Sequence, residues 1–349
     1  MSAIPVYQWQ PTTAEIARRA GIDPGEVVRF DQNTSPAAPP WVAEVAAAHA
    51  AGIHDYPGAD YRPLREAIAG YRGVDPEQVV VGAGADELIL NAAKAFLGRG
   101  RVAAADVPAY PMYRIATMQL GAAFEGVPRD PETLAFPTRD LARAAAAADV
   151  TWLCAPHNPV GDSPPVDAVR EVAGSAAGVV VVDAAYAEFT GDRWDDLLGG
   201  EAIVLGTMSK AFGLAGARVG YAVAPPALAA RLDAMRPPGS ISSTSAALAI
   251  RGLTDLDWMR ANVAAVERER RSLAGRIEGV GIRVRPTLTN FVLGDVGPGA
   301  RDVAAHLMDG FGLVVRSFPA DHPLSASLRF TVRTPADHDR LIDALERTL

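Results

Sequence analysis

The chain has 349 residues, 49% of them hydrophobic, and a formal charge of −8 with a pI near 5.3, which suffices for a large α/β core with an appendage or for two domains. The acidic balance and the absence of a Lys/Arg-rich run argue against a nucleic-acid backbone or a membrane surface as partner, and no uncharged run of about 20 apolar residues offers a spanning helix. A single cysteine, Cys154, excludes an internal disulfide and a multi-cysteine zinc or iron–sulfur site, so no metal and a reducing, cytoplasmic setting are expected. The start, Met1-Ser2-Ala3-Ile4-Pro5, lacks the basic and apolar pattern of an export signal.

In chain order, residues 1–45 show little periodicity and are expected to pack on a smaller module and over a site. From about 79 to 223, short β-branched runs alternate with Ala/Leu-rich helical stretches, the mark of a mostly parallel sheet covered on both faces. Its strands are expected at Val79–Val81, Arg101–Ala105, Ala123–Val127, Thr151–Cys154, Gly178–Val182, Ala202–Leu205 and Arg218–Val223. Beyond about 240 the pattern becomes α+β. A charged helix (254–278) precedes strands near Ile282–Val284, Asn290–Leu293, Leu313–Arg316 and Leu328–Val332, with helices near 300–309 and 335–347. The expected division is 1–45 as an N-terminal segment, 46–250 as a large domain and 251–349 as a small α+β domain.

Ligands of open α/β sheets collect at the carboxyl ends of strands, and four such ends are polar here. Gly82-Ala83-Gly84-Ala85-Asp86-Glu87 opens a helix whose free N–H groups suit a phosphate. A dinucleotide fingerprint would need Gly where Glu87 stands, and Asp106 only ambiguously supplies its acidic partner. Asp183 ends an all-valine strand, where a buried carboxylate calls for a cationic or hydrogen-bonding partner. Thr207, Ser209 and Arg218 flank Lys210, so that hydroxyls and a guanidinium can take a phosphate while the lysine stays free for chemistry. His157, in the fourth, is read as filling a local hydrogen-bond slot rather than touching a ligand, and Tyr7 and Trp9 either cover the substrate or pin the N-terminal segment.

The string Thr207-Met208-Ser209-Lys210-Ala211-Phe212-Gly213-Leu214-Ala215-Gly216-Ala217-Arg218-Val219-Gly220 resembles the cofactor-lysine motif of class I/II aminotransferases, in the histidinol-phosphate aminotransferase branch. Asp55-Tyr56-Pro57, Gly84-Ala85-Asp86-Glu87, Pro108-Ala109-Tyr110, Asn158-Pro159-Val160-Gly161, Thr289-Asn290-Phe291 and Leu328-Arg329-Phe330 agree in order and spacing. The resemblance implies the fold type I of pyridoxal-5′-phosphate (PLP) enzymes: a mostly parallel seven-stranded sheet with helices on both faces and a smaller α+β domain.

By the same resemblance, Lys210 carries the cofactor covalently and shuttles a proton. Asp183 pairs with the pyridine nitrogen, Asn158 and Tyr186 bond its phenolic oxygen, and Tyr110 stacks on its ring. Backbone at Ala85 and Asp86, with Thr207, Ser209, Arg218 and Tyr56 from a second subunit, holds the phosphate. Arg329 clamps the substrate, with Arg316, Asn33 and Asn290 nearby. The partners implied are a small-molecule amino donor, a 2-oxo acid acceptor and a second copy of the chain sharing its active sites. Where the family reads Asn-Glu-Asn-Pro, this chain has Asn33-Thr34-Ser35-Pro36, a departure that bears on substrate identity. An aminotransferase for aromatic or specialised amino acids, or a threonine-phosphate decarboxylase, would use the same constellation.

Overall fold

The computed structural model describes residues 5–349; the reading of Met1–Ile4 as lacking an export signal lies outside them. Seven strands form one sheet, in the spatial order Val79–Gly82, Gly220–Val223, Ala202–Thr207, Val179–Asp183, Val150–Cys154, Val102–Val107 and Ala123–Pro128. All neighbours are parallel except Gly220–Val223, which runs antiparallel to both of its partners. The expected strands are all present, but the last begins at Gly220 rather than Arg218. Arg218 adopts φ +52° ahead of it, a left-handed turn that no strand residue can hold.

Alternation along the strands explains the layering. Val181, Ile203, Leu205 and Trp152 pack under the helices Ala85–Phe96, Pro111–Gln119 and Pro226–Asp233. Val180, Val182, Val204 and Leu153 face the helices Thr138–Ala145 and Val166–Ser175 on the other side. Both strand faces are therefore buried, which is why these runs are apolar throughout.

The second core gathers Val266, Leu273 and Ile277 of the helix Asp257–Gly279 with Phe330, Leu341 and Leu345, and with Val28 and Phe30 from the N-terminal segment. Its sheet joins Phe291–Asp295 antiparallel to Ser327–Thr331 and Arg283–Arg285. The strand expected over Leu313–Arg316 is only Leu313–Val314. It pairs with Val28–Arg29, a strand the sequence did not announce, while Arg316 instead bridges Arg329 across the chain. A helix at Thr13–Ala20 was also missed, although Thr12 and Glu15 form a capping box whose S/T-x-x-E signature was readable. Among the described residues no helix is long and apolar enough to cross a membrane, and no cluster of side chains suits a metal ion.

Candidate active site

Adjacent strands deliver their carboxyl ends to one crevice. Asp183 closes the central strand, 5% exposed. Burial pushes its carboxyl above the usual carboxylate range, opposed by the Tyr113 hydroxyl and the Ala185 N–H, which donate to it at 2.6 and 3.1 Å. Both donors are neutral, so the buried acid still suits a cationic partner. Sequence reading missed Tyr113. Its only signal was a tyrosine one helical turn beyond Tyr110, after Pro111 begins the helix.

Lys210 follows the strand Ala202–Thr207 through a tight turn in which the Ser209 N–H donates to Thr207 Oγ1 at 3.1 Å. Its Nζ donates to the Gln32 carbonyl at 3.4 Å and stands 5.7 Å from the centre of the Tyr186 ring. Burial, then the guanidinium of Arg329, lowers the Lys210 pKa to about 8, with Arg218 acting alike and Asp86 and Asp183 opposing. At pH 7 roughly a tenth of this amine is then neutral and available as a nucleophile, far more than for an ordinary lysine.

At the far end of the crevice, Gly84 (φ +82°) precedes the helix Ala85–Phe96. A Cβ on Gly84 would lie 2.6 Å from Arg218 Nη2, and one on Gly220 would lie 2.6 Å from Ala85 N. Only glycines let the helix N-terminus, the Arg218 turn and the Thr207–Ser209 hydroxyls (3.0 Å apart) converge. Arg218 Nη2 is 3.3 Å from Asp86 Oδ2, and the Tyr110 hydroxyl donates to Asp86 Oδ1 at 2.8 Å. Glu87, where a dinucleotide fold would need Gly, folds back to accept from the Ala83 N–H and so fixes this turn.

The opposite wall comes from both ends of the chain. Arg329 donates from Nη1 to Asn158 Oδ1 at 2.6 Å and from Nη2 to the Asp31 carbonyl at 2.8 Å, while its buried Nε lacks a partner. Asn33, held at φ +52°, donates from Nδ2 to the Tyr186 hydroxyl at 2.9 Å, and its carbonyl accepts from Asn290 Nδ2 at 2.9 Å. Asn290 thus holds the segment rather than facing open crevice with its amide nitrogen. Arg316 reaches the Gln8 carbonyl at a long 3.5 Å. Tyr7 packs on Trp9 with ring centres 4.7 Å apart, and Trp9 remains 85% exposed, too open to pin the segment by burial.

Two residues stand apart. Tyr56 is 97% exposed beside Gly239, without a hydrogen bond to the crevice residues of its own chain. His157 is fully buried with Nε2 3.2 Å from Asp106 Oδ2, and Arg129 donates to the same oxygen at 2.6 Å. Although burial works the other way, His157 and Arg129 hold Asp106 down to about 2. Asp106 is therefore a structural counter-ion and His157 fills a local slot, as its position at a strand end suggested.

The residues present fit PLP. A helix N-terminus with hydroxyls and a guanidinium suits its phosphate, a buried acid short of a cation suits its pyridine nitrogen, and a lysine of lowered pKa stands between them. The family model of aminotransferase class I and II matches residues 26–345. The chain is 33% identical to a histidinol-phosphate aminotransferase of Akkermansia muciniphila over 98% of its own length and 96% of the relative's. It is 34% identical to that of Thermobifida fusca, covering 89% and 86%. The crystal structure of histidinol-phosphate aminotransferase from Sinorhizobium meliloti in complex with pyridoxal-5′-phosphate superposes with a TM-score of 0.88 at 25% identity, over 98% of this chain and 95% of that one. With a crevice fitted to that cofactor and a family match across nearly all of its length, the chain belongs to the class I and II aminotransferases, PLP-dependent enzymes of fold type I.

Proposed function

We propose that the enzyme transfers the amino group of L-histidinol phosphate to 2-oxoglutarate, giving imidazole acetol phosphate and glutamate. The observation that carries this reading is Arg329, buried and fixed through both Nη atoms with Nε left over, beside Arg316. Histidinol phosphate bears a phosphate ester where amino acids bear a carboxylate, and a pair of guanidiniums accepts either anion. The relatives at 33% and 34% identity carry this activity in their names.

Bound PLP supplies the sink for the electron pair left on the substrate Cα. Lys210 Nζ, an amine of lowered pKa, would take the proton from the substrate Cα. Asp183 would pair with the protonated pyridine nitrogen, and the Tyr113 hydroxyl holds Asp183 in place. Asn158 and Tyr186 would bond the phenolic oxygen, Tyr110 would pack on the ring, and the Ala85 and Asp86 N–H groups with Thr207, Ser209 and Arg218 would hold the phosphate. The helix Val42–Ala50 is rich in Val and Ala yet buries none of its residues, and Ile53 and Tyr56 lie exposed after it. A second copy covering this face would bring Tyr56 to the neighbouring phosphate, so the enzyme works as a homodimer; the lone buried Cys154 fits a reducing, cytoplasmic setting. The same reading divides the chain into a strap (1–45), a cofactor domain (46–250) and a small domain (251–349).

The test is glutamate formation from histidinol phosphate and 2-oxoglutarate. Turnover with aromatic amino acids and none with histidinol phosphate would reassign the donor.

A further inference from the structure

Four of the five backbone carbonyls of the segment Asp31–Ser35 accept from side chains. Arg329 Nη2 takes that of Asp31 at 2.8 Å, Lys210 Nζ that of Gln32 at 3.4 Å, Asn290 that of Asn33 at 2.9 Å and Arg333 Nη1 that of Ser35 at 3.1 Å. One side chain, Asn262 on the helix Asp257–Gly279, joins this segment to the loop that carries Lys210. Its Oδ1 accepts from Ser35 Oγ at 3.1 Å, and its Nδ2 donates at 2.8 Å to the carbonyl of Ala211, the residue after the lysine. Asn262 is 8% exposed and Ala211 fully buried. Only this amide orientation serves the Ala211 carbonyl, because the reverse would set oxygen against oxygen. Just beyond, Gly213 (φ +65°) lies against Trp258 of the same helix and the Ala37 carbonyl; a Cβ there would meet them at 2.4 and 3.0 Å. Helix, strap and lysine loop therefore interlock at consecutive points, and Ser35 is one of the positions at which this chain departs from its family's pattern.

We propose that Asn262 is a positioning residue for Lys210: it ties the strap at Ser35 to the lysine loop through the Ala211 carbonyl and so fixes where Nζ stands. The proposal rests on the reading of Lys210 as the working amine, but on no particular substrate. Around Nζ the charged and titratable groups are Arg329 and Arg218, Asp86 and Asp183, and the Tyr186 phenol. Burial is the largest cause of its lowered pKa, so loosening the loop admits water and returns the amine toward ordinary lysine behaviour.

The chain's sequence makes this measurable without cofactor or substrate, because it contains two lysines, Lys210 and the exposed Lys94. Competitive acetylation of the apoprotein over a pH series, read by mass spectrometry with Lys94 as internal reference, gives the Lys210 midpoint. Asn262→Leu, which removes both links without adding charge, should raise that midpoint by about half a unit, roughly a threefold loss of neutral amine at a given pH. Ser35→Ala, which leaves the Ala211 bond, should move it in the same direction by less. A lowered melting temperature with the Asn262→Leu midpoint unchanged would mean a merely structural asparagine and overturn the proposal. If Asn262→Leu does not fold, Ser35→Ala carries the test alone, and an unchanged midpoint overturns it. A failed histidinol-phosphate assay leaves this measurement standing, so the two readings fail separately.

Discussion

The two walls of the crevice are built in different ways. On the sheet side, Asp183 closes its strand while Asn158 and Lys210 follow the carboxyl ends of theirs, and the register of adjacent strands sets their spacing. On the strap side, nothing is in place until the chain ends meet: Arg329 is fixed by Asp31 and Asn158, and Asn33 by Thr331 and Asn290. The cofactor wall is thus a property of one sheet, and the substrate wall of a long-range closure. Departures such as Thr34 and Ser35 can change what is bound without touching what the sheet holds.

The largest break should come on the sheet side. Lys210→Ala removes the amine proposed to carry the proton, and kcat should fall on the order of 10⁴-fold. The apoprotein should fold at least as well, because the change deletes an amine whose ammonium form burial disfavours. A thermal melt beside the steady-state assay checks both halves. On the strap side, Arg329→Ala frees Asn158 Oδ1 and the Asp31 carbonyl and removes the anion clamp. Losing a desolvated charge contact of this kind costs about 2–5 kcal/mol, so kcat/KM should drop by about 30-fold or more. Arg316→Ala should cost less than about tenfold, since its Gln8 contact is long and partly open to solvent. Equal losses in the two arginine variants would mean that Arg316 carries as much of the anion contact as Arg329.

The same contrast decides what the sequence made legible. Strands buried on both faces are written as short valine and alanine runs, and the residues after them as polar punctuation, so the sheet and Asp183, Asn158 and Lys210 could be placed from local pattern and family motif. The strand Val28–Arg29 could not, because its two residues are meaningless until Leu313–Val314 lies beside them. Arg218 was misplaced into a strand since nothing local shows that the phosphate turn needs φ +52° there. Tyr113 and Asn262 escaped because each acts on a residue far along the chain, Asp183 and Ala211, and carries no motif of its own. The helix Thr13–Ala20 was a different failure, since its capping box was in plain view.

Tyr113→Phe sharpens the sheet side. The lost hydroxyl donates to a buried carboxyl, a bond worth about 1.5–3 kcal/mol when the acceptor is charged, so kcat should fall about tenfold or somewhat more. The sign of the pH effect follows from the same bond. Tyr113 lowers the Asp183 pKa against burial, so its removal should raise that pKa further and shift the acid limb of the pH–rate profile upward. An acid limb that stays in place would show that Asp183 is held by the cofactor alone.

The smallest effect tests whether the strap's strain belongs to the site. Asn33 sits at φ +52° and 2% exposed, a conformation in which asparagine is tolerated and other side chains cost about 1–2 kcal/mol. Asn33→Ala should lose both the backbone tolerance and the bond from Nδ2 to the Tyr186 hydroxyl. Asn33→Gly restores the first and not the second. The glycine variant should therefore melt above the alanine variant by a few degrees, while both show the same few-fold rise in KM and the same small fall in kcat. If glycine also restores the kinetics, Asn33 serves only to turn the chain, and Tyr186 needs no partner from the strap. If the kinetics stay impaired while the melt recovers, the contact between the two walls runs through this amide, and the long-range closure reaches the Tyr186 hydroxyl.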